Sequence, residues 1–381
     1  MLRVDVKPEL LYWARERAGL EIKALAARFP KYIGWETGEV RPTLKQLEKF
    51  AKTVHAPFGY FFLSEPPDEP FPIPDFRTMG GEPLGRPSLD LLDTIYLCQR
   101  RQDWYREFAR MEGEEPLAFV NSADSTTDIE TAAGNIRAVL HLDLEERRTL
   151  PNWTEALHHF IDKADELGVL VMVSGIVGNN THRRLDPSEF RGFALVDDLA
   201  PLVFINGADT KAAQMFTLAH EIAHLWLGQT ALSDSRPDAL PVHNAEAWCN
   251  RVAAELLVPL ALMREEYRED EDLSNALTRL ARRFKVSTLV ILRRILDIGA
   301  LAQSEFRDAY DAELEKLKTR ARGNGGDFYR THNARIGNRF AHAVVASTLE
   351  GGTSFTESFQ LLGFKKMHTF DEFARRLGIS V

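Results

Sequence analysis

The stretch FTLAHEIAHLWLG, residues 216–228, constrains this chain more than any other. It sets two histidines four positions apart, a glutamate after the first, in an apolar run closed by Gly228. At about 3.6 residues per turn, His220 and His224 share one helical face, so both rings can reach one metal ion. Glu221 lies about 100° round the helix, off the ion but able to address a water beside it. A catalytic zinc site needs a third protein ligand and an open fourth position. Water there loses its proton near neutrality, and a glutamate can take that proton. Two histidines on an apolar helix also suit an ordinary core helix, so a third ligand in the right place has to decide between them.

The next helical stretch downstream is NAEAWCNRVAAELLVP, residues 244–259. Glu246 stands in its first turn, 22 residues after His224. Asn250 comes one turn later, and Ala253 with Ala254 leaves room for another helix to approach. Glu246 is the first candidate for the third ligand and His243 the second. Glu255, nine positions beyond Glu246, points about 180° away. It reads as a carboxylate beside the site or a buried structural one. His243 and Arg251 are candidates, by proximity in sequence, for the donor that a transition-state oxyanion needs besides zinc.

Ahead of the motif helix, VLVMVSGIV, FRGFALVD and PLVFIN read as strands, rich in β-branched and apolar residues. An edge strand within 190–206 is expected to receive a substrate backbone. The helices DIETAAGNIRAVLHL and NWTEALHHFIDKADELG precede these strands, and SLDLLDTIYLCQRRQDWYREFARME is a long amphipathic helix with Ser88 as N-cap. Its apolar face reads as residues 89, 92, 95, 96, 104 and 108. The expected fold is α+β and mostly helical, with a zincin-like peptidase domain. Four segments are expected: a helical domain at 1–64, a connector at 65–86, the peptidase region at 87–300 and a helical module at 301–381.

The connector SEPPDEPFPIPDFRTMGGEPLGRP is too dense in Pro and Gly for helix or central strand. Its Phe71, Ile73 and Phe76 suggest a segment laid along a surface. The first 64 residues hold eleven Lys/Arg against seven Asp/Glu, a local +4, whereas the whole chain carries −9. That asymmetry suits one DNA-touching module on an acidic protein. No apolar run approaches the roughly 18–20 residues of a membrane span, and MLRVDVKPEL has no signal-peptide core. Two cysteines, Cys98 and Cys249, are too few for a disulfide framework. A cytoplasmic address is expected. Residues 279–299 read as a helical subdomain packing on the peptidase, and His332 and His342 as structural or binding residues, their spacing fitting no metal face.

The motif helix together with EAWCNRVAAELLVP resembles the ImmA/IrrE family of zinc endopeptidases. The resemblance extends over most of residues 5–300, including GIVGNNTHRRLDPSEFRGFALVDDLAPLVFING and the pair WETGEVRPTLKQLEKFAKTV and FPIPDFRT. It implies Zn2+ held by His220, His224 and Glu246, with Glu221 as general base. It also implies fusion to an N-terminal Xre-type helix-turn-helix domain, and a repressor or other regulatory protein as substrate. One departure stands out: only PKYIG separates LAARF from WETG, leaving Lys31, Tyr32, Glu36 and Thr37 to face bases. Duplex DNA and a protein partner both stay open for that domain, as does a homodimer. The rival reading is a transcriptional regulator or antitoxin-like binding protein whose metal site is structural or sensory.

Overall fold

The computed structural model describes residues 3–69, 72–74, 78–79, 82–83, 87–233, 244–319 and 328–379. The chain divides into two compact units, residues 1–72 with 85–93, and residues 73–84 with 94–381. No helix among the described residues is long and apolar enough to cross a membrane.

The first unit packs short helices α1 (Pro8–Arg17), α2 (Ile22–Arg28), α3 (Tyr32–Glu36) and α4 (Leu44–Thr53), with a 3-10 turn at Phe58–Phe62 after them. Their core is aromatic: Tyr32 stacks on Phe50 at 5.3 Å, and Phe29, Trp35 and Phe61 surround that pair. Helix α4 starts at Leu44, two residues after Pro42. A capping box sets that start: Thr43 Oγ1 accepts from the Gln46 amide, and Gln46 Oε1 from the Thr43 amide. Two side chains expected to face bases are used internally. Tyr32 is fully buried, its hydroxyl 3.3 Å from the Leu11 carbonyl, and Glu36 is paired with Arg15 at 3.0 Å. The five-residue helix turns Tyr32 and Trp35 into the core, and of the four expected readers Lys31 and Thr37 stay exposed, with Ile33 between them.

The second unit carries two short strands, β1 (Thr78–Met79) and β2 (Glu82–Pro83), then α5 (Leu89–Glu112), which begins in the first unit. Ser88 caps α5 by accepting the Leu91 amide. The buried face of α5 differs from the expected apolar one: Tyr96 is exposed, whereas Arg101 and Gln102 are buried. Both are buried because they have partners. Gln102 Nε2 donates to the Leu195 and Ala200 carbonyls, and Arg101 donates to those of Leu361 and Arg335.

Helices α6 (Ile129–Val139), α7 (Leu144–Thr149) and α8 (Trp153–Leu167) lead into strand β3 (Leu170–Ser174). Next come the hairpin β4 (Ile176–Val177) and β5 (Asn180–Arg184), then β6 (Gly192–Leu195), β7 (Leu202–Asn206), the motif helix α9 (Lys211–Leu227) and β8 (Ala231–Ser233). The main sheet runs in the order β3-β7-β6-β8, with β3 parallel to β7 and the other pairs antiparallel. The edge strand expected within 190–206 is therefore corrected. Both β6 and β7 are flanked on two sides, because β8 returns from the motif helix to pair with Gly192–Ala194. Among the described residues the edges are β3 and β8.

Helix α10 (Asn244–Leu257) packs on α9 and α6, and α11 (Leu260–Glu266), α12 (Leu273–Phe284) and α13 (Thr288–Asp297) complete the region around it. Three arginines converge on the carbonyl end of α10, where a helix dipole favours cations. Arg137 donates to the Glu255 carbonyl, Arg147 to Leu257 and Arg294 to Val258, and Arg294 also pairs with the Glu255 carboxylate. Burial, with Arg137 and Arg283 nearby, brings Arg147 down to about 9. Glu255 is thus structural. Arg294→Met strands that carboxylate in the core, and should cost about 3–5 kcal/mol in chemical denaturation. A loss below about 1 kcal/mol would show that the pair carries little.

Helices α14 (Gln303–Thr319), α15 (Phe328–Ile336), α16 (Asn338–Leu349), α17 (Phe355–Leu362) and α18 (Met367–Arg376) belong to the same unit. The α15–α16 junction abuts β3: a Cβ on Gly337 would lie 2.8 Å from the Val171 carbonyl oxygen. His332 is buried between Phe364 and Phe373, and burial, with Arg101 and Arg335, brings it down to about 4. It is a neutral core residue at ordinary pH.

On α8, burial pushes Asp165 up to about 7, although the Val171 and Arg339 amides favour its anion. Between about pH 4 and pH 7 the folded chain holds a proton that the unfolded chain has released, so stability falls as pH rises and levels off above 7. Asp165→Asn should remove that decline. It should raise stability at pH 8 by about 2–4 kcal/mol and leave stability below pH 4 nearly unchanged. Parallel slopes for both proteins in pH-dependent denaturation would refute this assignment.

Candidate metal centre

Thr210 caps α9 by accepting the Ala213 amide, and Gly228 ends it in the left-handed region at φ 70°. The last carbonyls are taken by a loop: the Asn121 amide donates to Leu225 and that of Ala123 to Trp226. Phe119 stacks on Trp226 at 4.4 Å, and the Trp226 indole donates to Asn135. The motif helix is therefore held along its length, and from Gln214 to Leu227 it is buried on every side.

Inside that packing His220, Glu221 and His224 are fully buried, and Glu246 of α10 is 4% exposed. His220 Nε2 and His224 Nε2 are 3.1 Å apart. Glu246 Oε2 lies 3.3 Å from His220 Nε2, and Oε1 lies 3.0 Å from His224 Nε2. Donors about 2.0–2.2 Å from one ion at tetrahedral angles lie about 3.3–3.6 Å from each other. The observed 3.0–3.3 Å is slightly closer than that, so one cation fits among the three groups after a small outward shift, and imidazole with carboxylate is a donor set that zinc can use. The first-choice third ligand, Glu246, is the one brought to the histidines. His243 lies outside the described residues, and Arg251 is exposed, whereas the donor cluster is buried.

Electrostatics agree with the geometry. Burial alone would raise Glu246, but the two imidazoles overrule it and hold the carboxyl far below its usual range. Burial lowers His224 against the pull of Glu246, so this ring is neutral and able to ligate near pH 7. Glu221 is raised well above its ordinary value, first by burial and then by the Glu246 charge. Both Glu221 oxygens lack a hydrogen-bond partner among the described residues. A bound cation acts in the opposite direction and favours its anion. Cys249, one turn along α10 from Glu246, is raised well above its usual value by burial and by both carboxylates, so it stays a neutral thiol.

Residues 164–296 match the model of the IrrE N-terminal-like domain family, Peptidase_M78. The matched span contains the motif helix, Glu246 and every strand from β3 to β8. Residues 336–376 match a second model, a domain of unknown function (DUF8813). No curated protein matches the chain. The buried His-His-Glu cluster lies within the span similar to a peptidase family.

Sequence reasoning did not find Gly192 of β6. A Cβ there would lie 2.5 Å from Thr217 Cγ2, 2.8 Å from the Phe204 carbonyl oxygen and 3.1 Å from Glu221 Oε1. The strand comes this close to the motif helix only because position 192 has no side chain. Gly192→Ala must push Thr217 or the strand aside, with Glu221 next in line, and should cost about 1–3 kcal/mol. Metal content should stay at the wild-type level, because Gly192 approaches none of the three ligand atoms. Wild-type stability in this variant would contradict the close approach.

Proposed function

We propose that this protein is a zinc-dependent endopeptidase that cleaves a regulatory protein, a repressor being the substrate the family resemblance favours. The observation that carries this reading is the buried trio of His220, His224 and Glu246, with the two orphan oxygens of Glu221 beside it. A zinc ion held there would supply Lewis acidity and make a water acidic enough to give up a proton near neutrality. His220, His224 and Glu246 would hold it. Glu221 takes the water proton and returns it to the departing amine. The buried, apolar surroundings keep bulk water from Glu221 and strengthen each charge interaction there.

The test compares cells making the wild type with cells making Glu221→Gln, reading newly formed protein N-termini. A cut present only with the wild type identifies the substrate. Identical N-termini in both would sink the peptidase reading and favour a metal site used for structure or sensing.

For the first unit we infer contact with duplex DNA through phosphates. Its cleft of about 380 Å³ is lined by Arg28, Phe29, Pro30, Lys31, Trp35, Gln46 and Lys49, three cations and no acid. With Tyr32 and Glu36 engaged internally, base readout has little to use. Retention on duplex DNA should weaken steeply with salt and depend little on sequence. No retention even at low salt would leave this unit to protein partners. A cytoplasmic site of action and a homodimeric state belong to the same proposal.

A further inference from the structure

The sheet edge nearest the candidate centre is β8, and the chain's own connector is seated on it. The Leu232 amide donates to the Pro74 carbonyl oxygen at 3.0 Å, and the preceding residue, Ile73, is 6% exposed. Leu232 faces Phe193 in the β6–β8 ladder. In an antiparallel pair a residue directs both backbone groups toward its neighbour or both away. An amide bonded to Pro74 therefore marks Leu232 as a residue whose backbone faces the outer edge. One position on, Ser233 faces Gly192, where an added Cβ would lie 3.1 Å from Glu221 Oε1. A segment paired to that outer edge thus lies about two strand spacings, roughly 9.6 Å, from β6, the strand whose Gly192 packs beside Glu221.

We propose that this edge is where an extended segment of the substrate docks, and that residues 73–74 occupy it in the resting protein as a displaceable, uncut cover. This rests on the peptidase reading above. Two features of the connector suit it to the part. Pro74 accepts from Leu232 but has no N–H to return, so it pairs more weakly than a substrate residue that both donates and accepts. The Ile73–Pro74 bond is an imide flanked by a second proline, Pro72, so this segment is constrained away from the conformations and hydrogen bonds of an ordinary extended substrate. The burial of Ile73 holds the cover in place. The opposite edge, β3, is abutted by the α15–α16 junction, so the connector is seated on the edge nearer Glu221.

The test uses the full chain carrying Glu221→Gln, so that no probe is cut, with Ile73→Asp added to release the cover. A fluorescent peptide of residues 69–76 is titrated by anisotropy, and exchange of the Leu232 amide is followed by hydrogen–deuterium mass spectrometry. The cover predicts at least tenfold tighter peptide binding in the released protein, faster exchange at Leu232, and restored protection when peptide is added. Equal binding with and without Ile73→Asp, or unchanged exchange at Leu232, overturns it. If Ile73→Asp does not fold, Ile73→Ser is read by the same two criteria. Neither readout depends on cleavage, so tighter binding without a cellular cut would uphold the cover and sink only the peptidase reading.

Discussion

Replacing Glu221 by Gln should lower cleavage of a peptide spanning the cellular cut by about 10²–10⁴-fold, the range expected for loss of a positioned general base. The change is nearly isosteric, and Glu221 is not among the three groups that converge on the ion position. Metal content should therefore stay at about one ion per chain. Stability should hold or rise slightly, because the variant removes a fully buried ionisable group that has no hydrogen-bond partner among the described residues. The loss should fall on kcat more than on KM, since Glu221 acts on the proton and not on the substrate backbone. Metal loss from this variant, or a fall below tenfold, would remove Glu221 from the role of base.

Stripping the metal has the second large effect expected. An ion that binds only the folded chain stabilises it by about 4 kcal/mol at a free concentration a thousand times its dissociation constant. A chelator should therefore lower the melting temperature by several degrees, and zinc should restore it. The same shift should be nearly absent in His224→Ala and in Glu246→Ala, which each lack one of the three donors. Acid should mimic the chelator, because protons compete for the imidazoles. Burial lowers His224, so its ring stays available further into the acid range than a free imidazole. Melting temperatures that ignore chelator would leave the cluster a buried polar network with no resident ion.

The residues that converge in the candidate centre were legible in the sequence because their signal is local. Two histidines four apart and a glutamate at the head of the next helix fall together once both helices form, and Glu246 lies 3.3 Å from His220 and 3.0 Å from His224. The sheet edge was not legible. Strand order depends on pairing between distant segments, and ALS at 231–233 is too short to show a strand pattern. Gly192 was equally silent, since one glycine among many says nothing of the carboxylate it faces. The arginines on the carbonyl end of α10 come from three separate helices, so no spacing marks them. In the first unit the short helix suggested exposed readers, yet aromatic packing took Tyr32 and an ion pair took Glu36. The connector was read as a segment laid along a surface, and Ile73 is buried beside the Pro74–Leu232 hydrogen bond; Phe71 and Phe76 lie outside the described residues.

Anomalous diffraction at the zinc edge, from crystals grown with zinc, tests the central claim most directly. One strong peak is expected about 2.0–2.2 Å from His220 Nε2, His224 Nε2 and a Glu246 carboxylate oxygen. The fourth position should carry no protein ligand and should lie on the side of Glu221. A peak elsewhere would contradict it, and so would a fourth protein ligand, His243 above all, because a closed site holds structure and leaves no place for the reacting water.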